Sequence, residues 1–323
     1  MGHELLYLSR ADVQAVGLEM PRLIELLEVA FREKGAGRVS MPPKPSVYPA
    51  PDSFLHAMPA HIPALRSLGI KWVSAYPTNP LLGLPYVAGL IVLNDDATGL
   101  PYAVMDCTWI TAHRTAAASA LAAKYLARPE SSVLGVLGCG VQARTHLLAL
   151  AALFPIERVY AYDIVTAASE RYAAEMRELS NLAVVCVDDP KSAVIHSDII
   201  VTCGPIHKHP EPSIERGWLA PGAFASAVDF DSRWQPAAMA EFDKFVTDDL
   251  AQFEYYRREG YFQRAPTPHA DLGHLVAGSA RGRERPTERT MAMNLGLALD
   301  DMAVAPEIYR RAEGRGVGTR LPL

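Results

Sequence analysis

The chain has 323 residues, of which 50% are hydrophobic and 21% charged, and its formal net charge at pH 7 is −5. At roughly 100–200 residues per domain, this length predicts two domains, and the hydrophobic content excludes a disordered chain. The acidic balance argues against a nucleic-acid partner, because neutralising phosphates takes a surplus of Lys and Arg. No run approaches the roughly 18 apolar residues of a membrane span, and Met1-Gly2-His3-Glu4 lacks the basic and apolar stretches of a secretory signal. Cys107, Cys139, Cys186 and Cys203 are scattered without a C-x-x-C pair, which suits a reducing compartment and predicts no metal site. A soluble, cytoplasmic enzyme is the expectation.

In chain order, Ser9-Arg10-Ala11-Asp12 fits a capping box at a helix start. A second helix from Pro21 is predicted by the stripe Leu23, Ile24, Leu27, Ala30 and Phe31, with Gly35 as its expected stop. Residues 40–106 instead alternate β-type runs (46–48, 54–58, 70–74, 87–93, 103–105) with Pro- and Gly-bearing turns. The turn Asn94-Asp95-Asp96-Ala97-Thr98-Gly99 joins two of these runs as in an antiparallel hairpin. From Thr111 small residues dominate, Thr115-Ala116-Ala117-Ala118-Ser119-Ala120-Leu121-Ala122-Ala123, which predicts a closely packed helix.

After Pro129 strands and helices alternate. Strands are predicted at 133–137, 158–162, 182–187 and 199–202, with helices at 142–153, 167–179 and 189–196 between them. Two more strands are expected at 223–228 and 244–246, and 278–289 reads as a polar, Arg-rich loop. Residues 289–313 read as one or two helices ending near Gly314, material that can return to the first domain and make it discontinuous. The expected fold class is α/β: a Rossmann-type doubly wound parallel sheet plus an α+β domain with antiparallel strands. Residues 1–114, completed by about 295–323, form the antiparallel domain, and 115–294 form the Rossmann domain.

Gly138-Cys139-Gly140-Val141-Gln142-Ala143 matches G-x-G-x-x-G/A between a predicted strand and a predicted helix. The first glycine permits the tight turn, the second lets backbone approach a pyrophosphate, and Ala143 permits close helix packing. The helix start attracts the phosphates. Asp163 ends the next strand about 20 residues on, where a carboxylate meets the adenosine ribose hydroxyls. It would repel a ribose 2′-phosphate, and Ile164, Val165 and Thr166 bring no cation, so NAD is expected rather than NADP. Asp163 is also placed to cap the following helix. His207, His209, His269 and His274 show no metal spacing and read as loop residues.

These features come with a resemblance. Gly99-Leu100-Pro101-Tyr102-Ala103-Val104-Met105-Asp106, then Ile110-Thr111-Ala112-His113-Arg114-Thr115-Ala116-Ala117-Ala118, and their distance to the glycine motif resemble the ornithine cyclodeaminase/mu-crystallin family. Met41-Pro42-Pro43-Lys44, Met58-Pro59-Ala60 and Gly69-Ile70-Lys71 are further matching landmarks, and the resemblance covers essentially the whole chain. It implies an NAD(H)-dependent oxidoreductase acting at the α-carbon of a small α-amino or α-imino acid, assembled as a homodimer through the antiparallel domain. The alternatives it carries are an ornithine cyclodeaminase-like lyase that recycles NAD internally and a non-catalytic, nucleotide-dependent binding protein.

By position, the resemblance places a substrate-carboxylate clamp at Lys44, Lys71 and Arg114, and it places Arg114, Thr115, Thr202 and Val228 near the cofactor beside Gly138, Gly140, Val141, Gln142 and Asp163. Arg is usual in the family where this chain has Lys44. Lys71 lies among apolar strand residues and must be exposed on one face or held by an anion. Arg114 is read as opening the Ala-rich helix, where the macrodipole disfavours a cation unless an anion is near. Asp231, in Ala227-Val228-Asp229-Phe230-Asp231, is the expected proton carrier, with Lys71 as the other catalytic candidate. An extended run from 229 to 231 would put both acids on one face with Asp231 further out. Ornithine-specific members carry an acid where this chain has His56 and a small hydroxyl residue where it has Tyr86, so ornithine itself is not the expected substrate.

Overall fold

The β-type runs of the N-terminal third build an antiparallel sheet whose pleat buries every second residue on an inner strand. The computed structural model describes residues 3–180 and 182–323 and divides into two compact units, Met1–Thr115 with Gly296–Leu323, and Ala116–Leu295. The first unit opens with strand β1 (Glu4–Leu8), helix α1 (Arg10–Val16) and helix α2 (Met20–Gly35). Ser9 caps α1 as expected, its Oγ accepting from Asp12 N at 3.2 Å while Asp12 Oδ2 accepts from Ser9 N at 2.9 Å. Gly35 is still helical. The left-handed residue is Gly37, at φ +71°, so the second of two nearby glycines makes the turn.

Strands β2 (Ser46–Val47), β3 (Phe54–Ile62), β4 (Ser67–Ala75), β5 (Val87–Asn94) and β6 (Pro101–Asp106) follow. With β15 (Thr319–Pro322) they form a seven-stranded sheet in the order β15-β1-β6-β5-β4-β3-β2. The pairs from β2 to β6 are antiparallel, and β1 joins β6 in parallel. On β4, Ser67, Gly69, Lys71, Val73 and Ala75 are buried, while Leu68, Ile70, Trp72 and Ser74 face the other way. Helix α10 (Ala298–Arg315) packs over β3 and β4 and against α2. On the opposite face the register aligns Ala57, Trp72 and Leu90 in one row and Pro59, Ile70, Val92 and Val104 in the next.

Helix α3 (Thr108–Leu126) leads into the second unit. There β7 (Val133–Leu137), α4 (Val141–Ala151), β8 (Arg158–Tyr162), α5 (Thr166–Ser180), β9 (Ala183–Cys186), α6 (Pro190–Val194) and β10 (Ile199–Thr202) alternate as the pattern predicts. Then come β11 (Phe224–Ala227), α7 (Pro236–Met239), β12 (Lys244–Thr247), α8 (Leu250–Arg258), β13 (Ala270–Asp271), α9 (Leu272–Val276) and β14 (Thr290–Met293). The eight strands run parallel in the order β13-β12-β14-β11-β10-β7-β8-β9. Strand order reverses between β7 and β10, which opens a ligand crevice at their carboxyl ends.

The start of the region read as helical, 289–313, is instead β14, a strand inside this sheet. Thr-Met-Ala-Met is buried on every side, and a short apolar run of that kind has no period to separate strand from helix. The Arg-rich loop before it is more than surface: Arg283 donates from Nε to Leu126 O at 2.7 Å and from Nη2 to Thr290 Oγ1 at 3.0 Å. Among the described residues no helix is long and apolar enough to cross a membrane.

Candidate active site

In the first unit the inward face of β4 carries Lys71 to 1% exposure, where an ammonium must find an anion. It does: Nζ lies 2.7 Å from Asp301 Oδ2 and donates to Thr111 Oγ1 at 3.4 Å. Buried Arg114 donates from Nε to Asp301 Oδ1 at 3.1 Å and from Nη1 to Asp300 Oδ2 at 2.9 Å. Lys44 is buried too, its Nζ donating to Gly296 O at 2.9 Å. A Cβ on Gly296, whose φ is +75°, would stand 3.0 Å from Arg114 Nη1, so glycine is what admits the guanidinium. Thr115 follows on α3, its Oγ1 donating to Thr111 O at 2.7 Å.

Arg114 does not open its helix. α3 begins at Thr108, so Arg114 lies in its second turn, and the anion it needs is supplied by the pair Asp300 and Asp301 rather than by a ligand alone. Both acids sit in the first turn of α10, and Asp300 Oδ2 also accepts from Leu297 N at 3.1 Å. The helix dipole favours carboxylates there. Sequence reasoning missed them. Their signal is two adjacent carboxylates inside a stretch, Leu295 to Ile308, that is otherwise mostly apolar.

Burial pushes the Lys71 ammonium's pKa down, with the Arg114 charge adding to it and Asp301 opposing. Burial pushes the Asp300 carboxyl up, against the pull of Arg114. His56, buried and stacked on Phe54 at 3.9 Å, is driven down to about 2 by burial and by Lys44 and Lys71, so its imidazole is neutral. Lys71 and Arg114 thus face Asp300 and Asp301, and Lys44 is bonded to the carbonyl of Gly296.

In the second unit Gly138 leaves β7 at φ +99°, and a Cβ there would lie 2.8 Å from Gly204 N. Gly140 precedes α4, and a Cβ on it would meet no atom within 4 Å. The next residue, Val141, is 63% exposed, so the amides at the head of α4 face open space that a phosphate fits. Gln142 is half-buried behind it. Asp163 stands just past β8, Oδ2 accepting from Cys139 N at 2.7 Å and Oδ1 from Val165 N at 2.9 Å. It braces the glycine turn while its side chain remains half-exposed. The residues present fit a dinucleotide.

At the end of β10, Thr202 Oγ1 donates to Asp229 Oδ1 at 2.5 Å and accepts from Trp234 Nε1 at 3.0 Å, while Val228 N donates to Thr202 O at 2.9 Å. Asp229 is fully buried and its carboxyl is pushed up to about 6 by burial, against the hydrogen bonds of Thr202 and Gly204 and the charge of Arg233. Asp231 is half-buried, and burial raises it too. The two acids do not share a face of an extended run. Phe230 between them is left-handed, at φ +60°, and that turn sends Asp229 into the interior and leaves Asp231 half open.

A second group missed from sequence is Asn294, just beyond β14. It is 5% exposed, and neither Nδ2 nor Oδ1 has a hydrogen-bond partner. A lone Asn after an apolar run gives no sequence signal. His207 and His269 are exposed loop residues, whereas His274 is not in a loop: it belongs to α9, 2.9 Å from the Asp271 that caps the helix.

A parallel sheet with an open glycine turn at its switch point is the mark of a dinucleotide-dependent enzyme. The chain belongs to the ornithine cyclodeaminase/mu-crystallin family, whose model matches residues 4–316. It is 36% identical over 330 residues to alanine dehydrogenase of Archaeoglobus fulgidus, with 98% of each chain covered. Among solved structures it is similar to Thermococcus litoralis Δ1-pyrroline-2-carboxylate reductase in complex with NADH and L-proline, with TM-score 0.88 and 33% identity over 98% of this chain and 99% of that one. An archaeal alanine dehydrogenase dimer with bound NAD also gives TM-score 0.88, at 33% identity over 99% of each chain.

The cluster's internal carboxylate yields a stability prediction. Asp301→Ala removes the partner shared by Lys71 and Arg114, and breaking a buried pair in this way costs about 3–5 kcal/mol. Urea unfolding checks it. A loss below about 1 kcal/mol, the value of a surface pair, would show that water reaches these groups.

Proposed function

We propose that the protein is an NAD(H)-dependent oxidoreductase that transfers hydride at the α-carbon of a small α-amino or α-imino acid. The observation that carries the proposal is the buried set Lys44, Lys71 and Arg114, with Lys71 and Arg114 held in place by Asp300 and Asp301. Such a site binds one carboxylate and orients it, and orientation converts an encounter into a near-unimolecular step. Arg114 supplies a planar donor set and the two lysines supply point charges. Bound NAD provides the hydride acceptor or donor. Asp231 takes or returns the proton on the substrate nitrogen, and a carboxyl raised by burial is better matched to that task near neutral pH. Lys71, in the carboxylate clamp, is the second catalytic candidate.

His56 bears no charge beside Lys44 and Lys71, so it offers no counter-charge to a second amine. That favours net oxidation or reduction over cyclodeamination of ornithine. Two relatives support the reading by name, one an alanine dehydrogenase and the other a pyrroline-carboxylate reductase. A screen of amino acids with NAD, and of 2-oxo acids plus amines with NADH, identifies the substrate. With that substrate Asp231→Asn lowers turnover by about 10²–10⁴ while NADH still binds. Full activity in this variant would move the proton to Lys71 or to water.

NADH is expected to bind more tightly than NADPH, because Asp163 lies past β8 and no cation follows among Ile164, Val165 and Thr166. Fluorescence titration with both cofactors measures this, and Asp163→Ser should narrow the gap. Equal wild-type affinities would refute the role given to Asp163.

The same proposal includes a cytoplasmic location, supported by four unpaired cysteines, and a homodimer. The first unit's sheet leaves Trp72 46% and Leu90 43% exposed on adjacent strands, flanked by Ala57, Pro59, Ile70, Val92 and Val104. A contiguous apolar sheet face of this kind calls for a partner, and a second copy supplies a self-complementary one. Light scattering should give a dimer for the wild type and half that mass for Trp72→Glu. A monomeric wild type at micromolar concentration would rule the dimer out.

A further inference from the structure

We propose that Asp229 is a positioning residue: its ionised carboxylate ties the backbone beneath the phosphate-binding turn to the turn that presents Asp231, so that NAD binds tightly only when Asp229 is charged. The inference rests on reading the second unit as an NAD site and adds a residue whose role no ligand contact explains. Asp229 is fully buried just past β11. Oδ1 accepts from Thr202 Oγ1 at 2.5 Å and Oδ2 accepts from Gly204 N at 3.1 Å. The same carboxylate therefore grips the end of β10 and the loop after it. Gly204 is the residue on which Gly138 rests: a Cβ at Gly138 would be 2.8 Å from Gly204 N and 2.9 Å from Cys203 C. Cys203 Sγ also donates to Gly138 O at 3.0 Å. Any shift of the 203–204 backbone is thus passed to the first glycine of the nucleotide motif.

On its other side, Asp229 O accepts from Ser232 N at 3.1 Å and Asp231 O accepts from Trp234 N at 3.0 Å, closing the tight turn around left-handed Phe230. Trp234 Nε1 returns to Thr202 Oγ1 at 3.0 Å. With Thr202 Oγ1 accepting from Trp234, its single proton is committed to Asp229, an arrangement that suits a carboxylate rather than a carboxylic acid. The charged or titratable groups that face Asp229 are Arg233 of its own turn and Cys203 of the loop after β10. Burial lifts the carboxyl to about 6. Above that pH the group is ionised and its bonds are charge-assisted; as pH falls through it, they become neutral bonds of roughly half the strength.

The test is titration of NAD, followed by tryptophan fluorescence, against wild type, Asp229→Asn and Thr202→Val between pH 5 and 8. Wild-type affinity is expected to fall as pH drops through about 6. Asp229→Asn keeps one acceptor and replaces the other with a donor, so it cannot accept from both Thr202 Oγ1 and Gly204 N; it should bind about 10- to 100-fold more weakly at pH 8 and lose that midpoint. Thr202→Val removes a hydroxyl that holds the carboxyl down, so its midpoint should move up, which a merely structural role would not produce. Wild-type affinity in Asp229→Asn at pH 8, or an unchanged midpoint in Thr202→Val, overturns the inference. A wild type that fails to bind NAD at pH 8 overturns the functional reading itself.

Discussion

Two cations cannot be buried side by side without an anion between them, and that requirement organises the first unit. Lys71 on β4 and Arg114 on α3 both face the interior, and Asp301 bridges them while Asp300 takes the second edge of the guanidinium. The acids belong to α10, nearly two hundred residues later in the chain. The return of the C-terminal segment to the N-terminal unit is therefore an electrostatic necessity as well as a packing one. Without α10, the cations would sit against an apolar sheet face with no counter-charge, at a cost of several kcal/mol each.

The same cluster suits the proposed carboxylate ligand, because Asp300 and Asp301 hold Lys71 and Arg114 in place before any ligand arrives. On that proposal the ligand's hydrogen bonds would form in a dry setting, where they are strongest, with donors already oriented by the internal acids.

What was legible in the sequence follows locality. The glycine motif is six consecutive residues with a strand before and a helix after, and its chemistry is carried by backbone, so Gly138, Gly140 and Asp163 are found where the pattern puts them. The β-type runs between 46 and 105 alternate, and each became a strand. Non-local features escaped. β14 has no solvent face to imprint a period, and Asp300 and Asp301 acquire meaning only when β4 and α3 lie against α10. Arg114 was assigned to a helix start because the Ala-rich run begins there, yet Thr108 and Trp109 already belong to the helix.

The two acids after β11 show how much one backbone angle decides. On an extended strand Asp229 and Asp231 would share a face and compete for one role. Phe230 at φ +60° breaks the alternation, and a non-glycine residue holds that conformation only when its surroundings over-determine it. Here they do: Phe230 is buried among Tyr256, Tyr261 and Phe262, with ring centroids 5.4–6.1 Å away. The ring's burial offsets the strain, and the strained turn separates the carboxylates into one that is buried and fully hydrogen-bonded and one that is half open. A local cost at residue 230 is thus what lets the same strand end present one carboxylate buried in hydrogen bonds and another left half open.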